Sequence, residues 1–124
     1  MIFTVKNGLP FVSVDVIANN QYITIDNVLL DTGSAGTIFS ADVLADIGLV
    51  LEPNDTLRQI YGVGGSEFVF EKCVNQIILG ELTVSNFIIE LGALDYGFNL
   101  NGIIGSNFLH QTGAHINFST LSIN

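Results

Sequence analysis

The sequence predicts an all-β fold with one or two short helices. Three observations support this. The apolar residues fall in short runs rich in Val, Ile, Phe and Tyr, the residue types that suit strands. Asn-Gly, Asn-Asn and Gly-Glu pairs punctuate those runs. Only one stretch carries clear helix start and stop signals.

The elements follow in order. Ile2 to Lys6 reads as a strand ended by Asn7-Gly8, and Phe11 to Ile17 as a second. Asn19-Asn20 turns the chain into a third strand, from Tyr22 to Leu30, which ends at Asp31. Thr37 to Phe39 resumes extended structure. Ser40 to Gly48 is the helix: Ser40 caps it, Asp42 suits the positive end of its dipole, and Gly48 closes it. After a loop at Glu52 to Thr56, the stretches Leu57 to Tyr61 and Ser66 to Val74 form a hairpin around Gly62-Val63-Gly64-Gly65. Pairing Gly62 with Gly65 places Leu57, Gln59, Tyr61, Ser66, Phe68 and Phe70 on one face, expected to look inward. Arg58, Ile60, Glu67, Val69 and Glu71 take the other. Gln76 to Leu79 and Leu82 to Leu91 read as two further strands around Gly80-Glu81. A loop from Gly92 to Asn99 leads to a short buried strand at Gly102 to Gly105. Helical turns follow at Ser106 to Gln111, and His115 to Asn117 and Leu121 to Ile123 are again extended. The order has a crude internal symmetry, each half giving a hairpin, a buried strand entering a glycine loop, and a short helix.

The 124 residues suit one domain spanning 1–124. Charged residues make up only 12%, about half the usual share of ~25%. So little charge leaves apolar surface for a second subunit to cover, which points to a homodimer. Three basic residues against twelve acids, a net charge of −9, argue against nucleic acid and anionic membrane surfaces as partners. No apolar run approaches the ~20 residues that span a bilayer. Met1 to Lys6 lacks the features of a signal peptide, so a cytoplasmic location is expected. The single Cys73, in a strand-like stretch, reads as a small buried hydrophobe.

Chemistry centres on Leu29-Leu30-Asp31-Thr32-Gly33-Ser34-Ala35-Gly36. An acid ending a buried strand is costly unless paired, hydrogen-bonded or protonated, and this loop offers hydroxyls and backbone N–H groups as partners. Asp, Thr, Ser and Gly are also ordinary turn residues. The rival chemistries are weaker. His110, His115 and Cys73 show no metal-ligand spacing, so no metal or cofactor is expected. The stretch around Ser34 lacks the glycine two residues before the serine that a nucleophile elbow needs. Gly62-Val63-Gly64-Gly65 is no dinucleotide fingerprint, because Glu67 stands where a third glycine belongs. One acid can drive hydrolysis if it meets another, since two close carboxylates share a proton. A two-fold dimer would bring Asp31 against its own copy.

Nearly the whole chain resembles the retropepsin-like, single-domain homodimeric aspartic peptidases. Leu29 to Ser34, then Tyr61 to Gly65, then Ile103-Ile104-Gly105-Ser106-Asn107-Phe108-Leu109 appear in that family's order. The resemblance implies a partly closed barrel and an aspartic endopeptidase that binds peptide or protein substrate extended. It implies that Asp31 is the catalytic acid, that Thr32 hydrogen-bonds across the dimer axis and that Gly33 meets substrate backbone. It also implies that the Ser34 hydroxyl donates to Asp31, that Tyr61, Gly62, Val63, Gly64 and Gly65 form a mobile flap tipped by Val63, and that Ile38 and Ile103 line substrate pockets. Ala35, Gly36 and Ser106 depart from the retroviral pattern of acids and Arg at those places, while Ser34 and Tyr61 look more pepsin-like. The alternative from another class is a peptide-binding or dimerisation module that keeps the fold with little catalysis.

Overall fold

Short turns built on Asn and Gly set the architecture. The computed structural model describes residues 1–62, 65–96 and 98–124. Strand β1 (Thr4–Lys6) turns at Asn7-Gly8 into β2 (Leu9–Ala18). Asn19 and Asn20 both take positive φ (53° and 59°) and turn β2 into β3 (Gln21–Leu30). Two central residues at positive φ match the right-handed twist of the strands they join. Strand β4 (Ile38–Ser40) runs into α1 (Ala41–Leu44), continued by a 3-10 turn at Ala45–Ile47. Ser40 accepts the Val43 N–H, and Gly48 ends the turn at φ 81°, the cap and stop its sequence predicts.

Strands β5 (Leu57–Gly62) and β6 (Gly65–Leu79) form the hairpin, with Gly62 opposite Gly65. Strand β7 (Leu82–Gly92) returns beside β6, β8 (Gly102–Ile104) is short and buried, and α2 (Ser106–Thr112) follows. Strands β9 (Ile116–Asn117) and β10 (Ser122–Ile123) pair at the end of the chain. The main sheet runs β1-β2-β3-β8-β4-β7-β6-β5, and an extra β2–β6 pairing closes β2 through β6 into a ring. The result is an all-β, partly closed ring of strands with two short helices.

The ring is filled by one large cluster that includes Val14, Ile25, Phe39, Leu44, Ile77, Ile89, Ile104 and Phe108, each at most 1% exposed. Burying a side chain of this size stabilises the fold by about 1.5–3 kcal/mol. A smaller cluster of Phe11, Ile38, Val69, Leu94, Leu100 and Ile103 lies apart from it.

Three expectations are corrected. The stretches 66–74 and 76–79 are one strand, β6, which pairs with β5 at one end and β2 at the other. The hairpin's faces are inverted: Val69 is fully buried and Ile60 packs beside it, while Leu57, Phe68 and Tyr61 are exposed. Val69 packs with Phe11, Ile38 and Ile103, which turns Tyr61 and Phe68 outward, while Phe70 on the same face still packs against the main core. Cys73 is exposed rather than buried. Its neighbour Val74 faces Phe87 in the core, so strand alternation turns Cys73 outward opposite Ile88.

Candidate active site

Asp31 sits where β3 stops, and neighbouring backbone fixes its position. Its N–H donates to the Ile104 carbonyl (3.0 Å), which continues the parallel pairing of Leu30 with Ile104. Its Oδ1 accepts the Gly33 N–H (2.9 Å), and its carbonyl accepts the Ser34 N–H (3.2 Å). The loop therefore curls around its own carboxylate.

The second half of the chain backs this loop. Ser106 N–H donates to the Ser34 carbonyl (2.6 Å) and Asn107 N–H to the Ala35 carbonyl (3.2 Å). A Cβ at Gly105 would collide with the Gly36 carbonyl, so only glycine permits this approach. Thr37, 1% exposed, donates from Oγ1 to Asn107 Oδ1 (2.8 Å) and accepts the Gly105 N–H (3.1 Å). Asn107 Oδ1 also accepts the Phe108 N–H (2.9 Å), one of the donors a helix start leaves unpaired.

Asp31 is partly exposed and opens on a cavity of about 980 Å³. Gly33, Ser34, Ile38, Tyr61 and Ile103 share the lining, so the structure brings these expected residues together. Ile38 and Ile103 are cross-strand neighbours at its base. Thr32 is exposed beside Asp31. Gly62 and Gly65 close the described part of the hairpin, while Val63 and Gly64 lie outside the described residues. The Ser34 hydroxyl donates to the Gly36 carbonyl (2.8 Å) instead of to Asp31, because the tight turn places that carbonyl two residues on within reach.

Sequence reasoning missed the charged and phenolic residues Arg58, Glu71, Glu90 and Tyr96 of the cavity, and the Thr37 and Asn107 that back it. Arg58 Nη2 donates to Glu90 Oε2 at 2.6 Å, and Arg58 Nε lies 3.9 Å from Glu71 Oε2. The Glu90 hydrogen bond, and then its charge, hold the guanidinium above its usual pKa. The Tyr96 hydroxyl donates to Glu67 Oε1 (3.1 Å). Partial burial, then the Glu67 charge and this bond, raise the Tyr96 phenol. A signal for Glu90 was present: it is the one acid inside the apolar run Phe87 to Leu91. Among the described residues, no group of three or more His, Cys, Asp or Glu is arranged to hold a metal ion. No helix there is long and apolar enough to cross a membrane.

The arrangement sets the Asp31 carboxylate, ordered by its own loop, on the wall of an open cavity that Glu71 and Glu90 also line, with apolar residues beside it and a hairpin at its edge. No curated protein sequence matches the chain. A crystal structure of a retropepsin-like aspartic protease from Rickettsia conorii shares its fold, with a TM-score of 0.68 at 18% identity, over 99% of this chain and 95% of that one. The model of the family described as aspartyl protease matches residues 12–108, from β2 to the middle of α2, and the chain belongs to that family.

Proposed function

We propose that the protein is a homodimeric aspartic endopeptidase whose working pair is Asp31 from each of two subunits. The observation that carries this reading is the position of Asp31: a carboxylate ordered by its own loop, at the edge of an open cavity, in a chain with a single Asp-Thr-Gly. A second copy supplies the second acid. The two carboxylates share one proton. The ionised one takes a proton from water, whose oxygen adds to the peptide carbonyl carbon. The other gives its proton to the departing amide nitrogen as the C–N bond breaks. Thr32, exposed beside Asp31, faces the partner. The hairpin from Tyr61 to Gly65 acts as a flap, pairing with an extended peptide as an added strand. Ile38 and Ile103 receive its apolar side chains.

The test is peptide hydrolysis by the purified protein, with calorimetric titration of a statine-type inhibitor. One inhibitor bound per two chains, together with cleavage, supports the reading. Inhibitor or peptide binding without cleavage favours a peptide-binding module instead. A further outcome concerns assembly: each subunit carries −9, so specific activity falls on dilution, and more steeply at pH 7.5 than at pH 5. Added salt reduces that difference by screening. A dimer equally tight at both pH values in sedimentation overturns this link.

A further inference from the structure

We propose that Glu90 is a positioning residue of the site, tying the β5–β6 hairpin through Arg58 to the loop that carries Asp31 through Gly36. The β5–β6 hairpin leaves the ring where β6, β7 and β4 meet. Glu90 stands at that junction: it is opposite Glu71 on β6 and beside Ile38 on β4. Its N–H donates to the Thr37 carbonyl (2.9 Å), so its backbone is fixed to the end of the Asp31 loop.

The two oxygens of its carboxylate face different elements. Oε2 accepts from Arg58, which reaches over Val69 from the far strand of the hairpin. Oε1 lies against Gly36, in the place that a side chain at position 36 would take. The Glu90 side chain is only 12% exposed, so its charge depends on Arg58 for compensation. Glu71 and Glu90 directly opposite one another would repel, and the guanidinium between them offsets that repulsion. Removing Arg58 therefore frees the hairpin base and leaves a poorly solvated carboxylate against Gly36, and both ends of the tie move together.

The test compares Arg58→Met and Arg58→Lys with wild type by amide hydrogen exchange and by kinetics. The amides to follow are Ser106 and Asn107, which donate to Ser34 and Ala35 and lie outside the hairpin. Their exchange is expected to speed up about tenfold in Arg58→Met and to return most of the way in Arg58→Lys. Gly36→Ala, which displaces Oε1 and leaves every charge in place, is expected to speed the same amides. Acceleration confined to residues 57–71, or none, overturns the proposal. The kinetic arm rests on the peptidase reading: KM for a long extended peptide rises about tenfold in Arg58→Met, with kcat changed less. An unchanged KM in an active enzyme also overturns it. If wild type cleaves no peptide, the peptidase reading fails alone, and the exchange result still decides the tie.

Discussion

The two halves of the chain build similar parts and use them differently. In the first, the hairpin of β2 and β3 ends in Leu30, and the next residue is Asp31. In the second, β8 ends in Ile104, and the next residue is Gly105. Leu30 and Ile104 are register partners in parallel strands, so acid and glycine stand side by side. At this point the first half presents a carboxylate to the cavity. The other presents bare backbone, against which the Gly36 carbonyl packs. The two halves divide the labour: the second gives up a side chain so that the first can hold its own in place.

Substitutions on either side test that contrast. The largest effect is expected from Asp31→Asn, which keeps the shape and loses the proton chemistry. Peptide hydrolysis falls by at least about 10³-fold while the fold and the dimer persist; turnover near wild type, measured alongside sedimentation, would refute the assignment of the acid. Next comes Gly105→Ala on the supporting side. Its methyl has no room beside the Gly36 carbonyl, so a stability loss of about 3 kcal/mol is expected in urea unfolding. A loss under ~1 kcal/mol would mean the two loops part easily.

Thr37→Val tests the bond between the halves itself. It leaves the Gly105 N–H and one Asn107 contact unpaired, and should cost about 1–3 kcal/mol. A smaller and pH-dependent effect belongs to the connector between the halves. Lys72 on β6 bonds Glu52 and Asp55 (2.6 and 2.7 Å). The Lys72 hydrogen bond, then the Glu52 N–H, lower the Asp55 pKa. Burial alone would lower Lys72, but its two carboxylate partners outweigh it and leave it raised. A lowered Asp55 means that its contribution is present above the ordinary value of 3.8 and is lost as pH falls through the folded value. A raised Lys72 loses its own contribution only in strong alkali, as pH climbs through the folded value. Thermal melts of Asp55→Asn and wild type should therefore differ slightly at pH 7 and converge near pH 2; a gap that widens in acid contradicts the sign.

Much of this was legible in the sequence because turns and strand ends are local. Asn7-Gly8, Asn19-Asn20, Gly48 and Gly80 mark breaks by their own backbone preferences. Asp31 stood out as an acid closing an apolar run, and the pairing of Gly62 with Gly65 follows from the spacing of the hairpin. What escaped depends on distant partners. The faces of the hairpin turn on how Val69 fits among Phe11, Ile38 and Ile103, and aromatic content alone pointed the wrong way. The pairing of Arg58 with Glu90 spans 32 residues, and that of Tyr96 with Glu67 spans 29. The Ser34 hydroxyl was within reach of two acceptors, and only the shape of the turn selects the Gly36 carbonyl.

The hydrogen bond from Thr37 to Asn107 closes a loop of 70 residues. Closing so long a loop costs roughly 4 kcal/mol of chain entropy before any contact rewards it. Hairpins with two-residue turns, such as β2–β3, close far sooner. The site is therefore a late product of folding. During synthesis β3 and its acid emerge long before β8 exists to receive the Asp31 amide, so a growing chain carries Asp31 without an ordered loop around it. Substitutions at Thr37 and Gly105 should accordingly speed unfolding and leave the folding rate nearly untouched. A protein of this architecture cannot assemble this site until synthesis has passed Asn107.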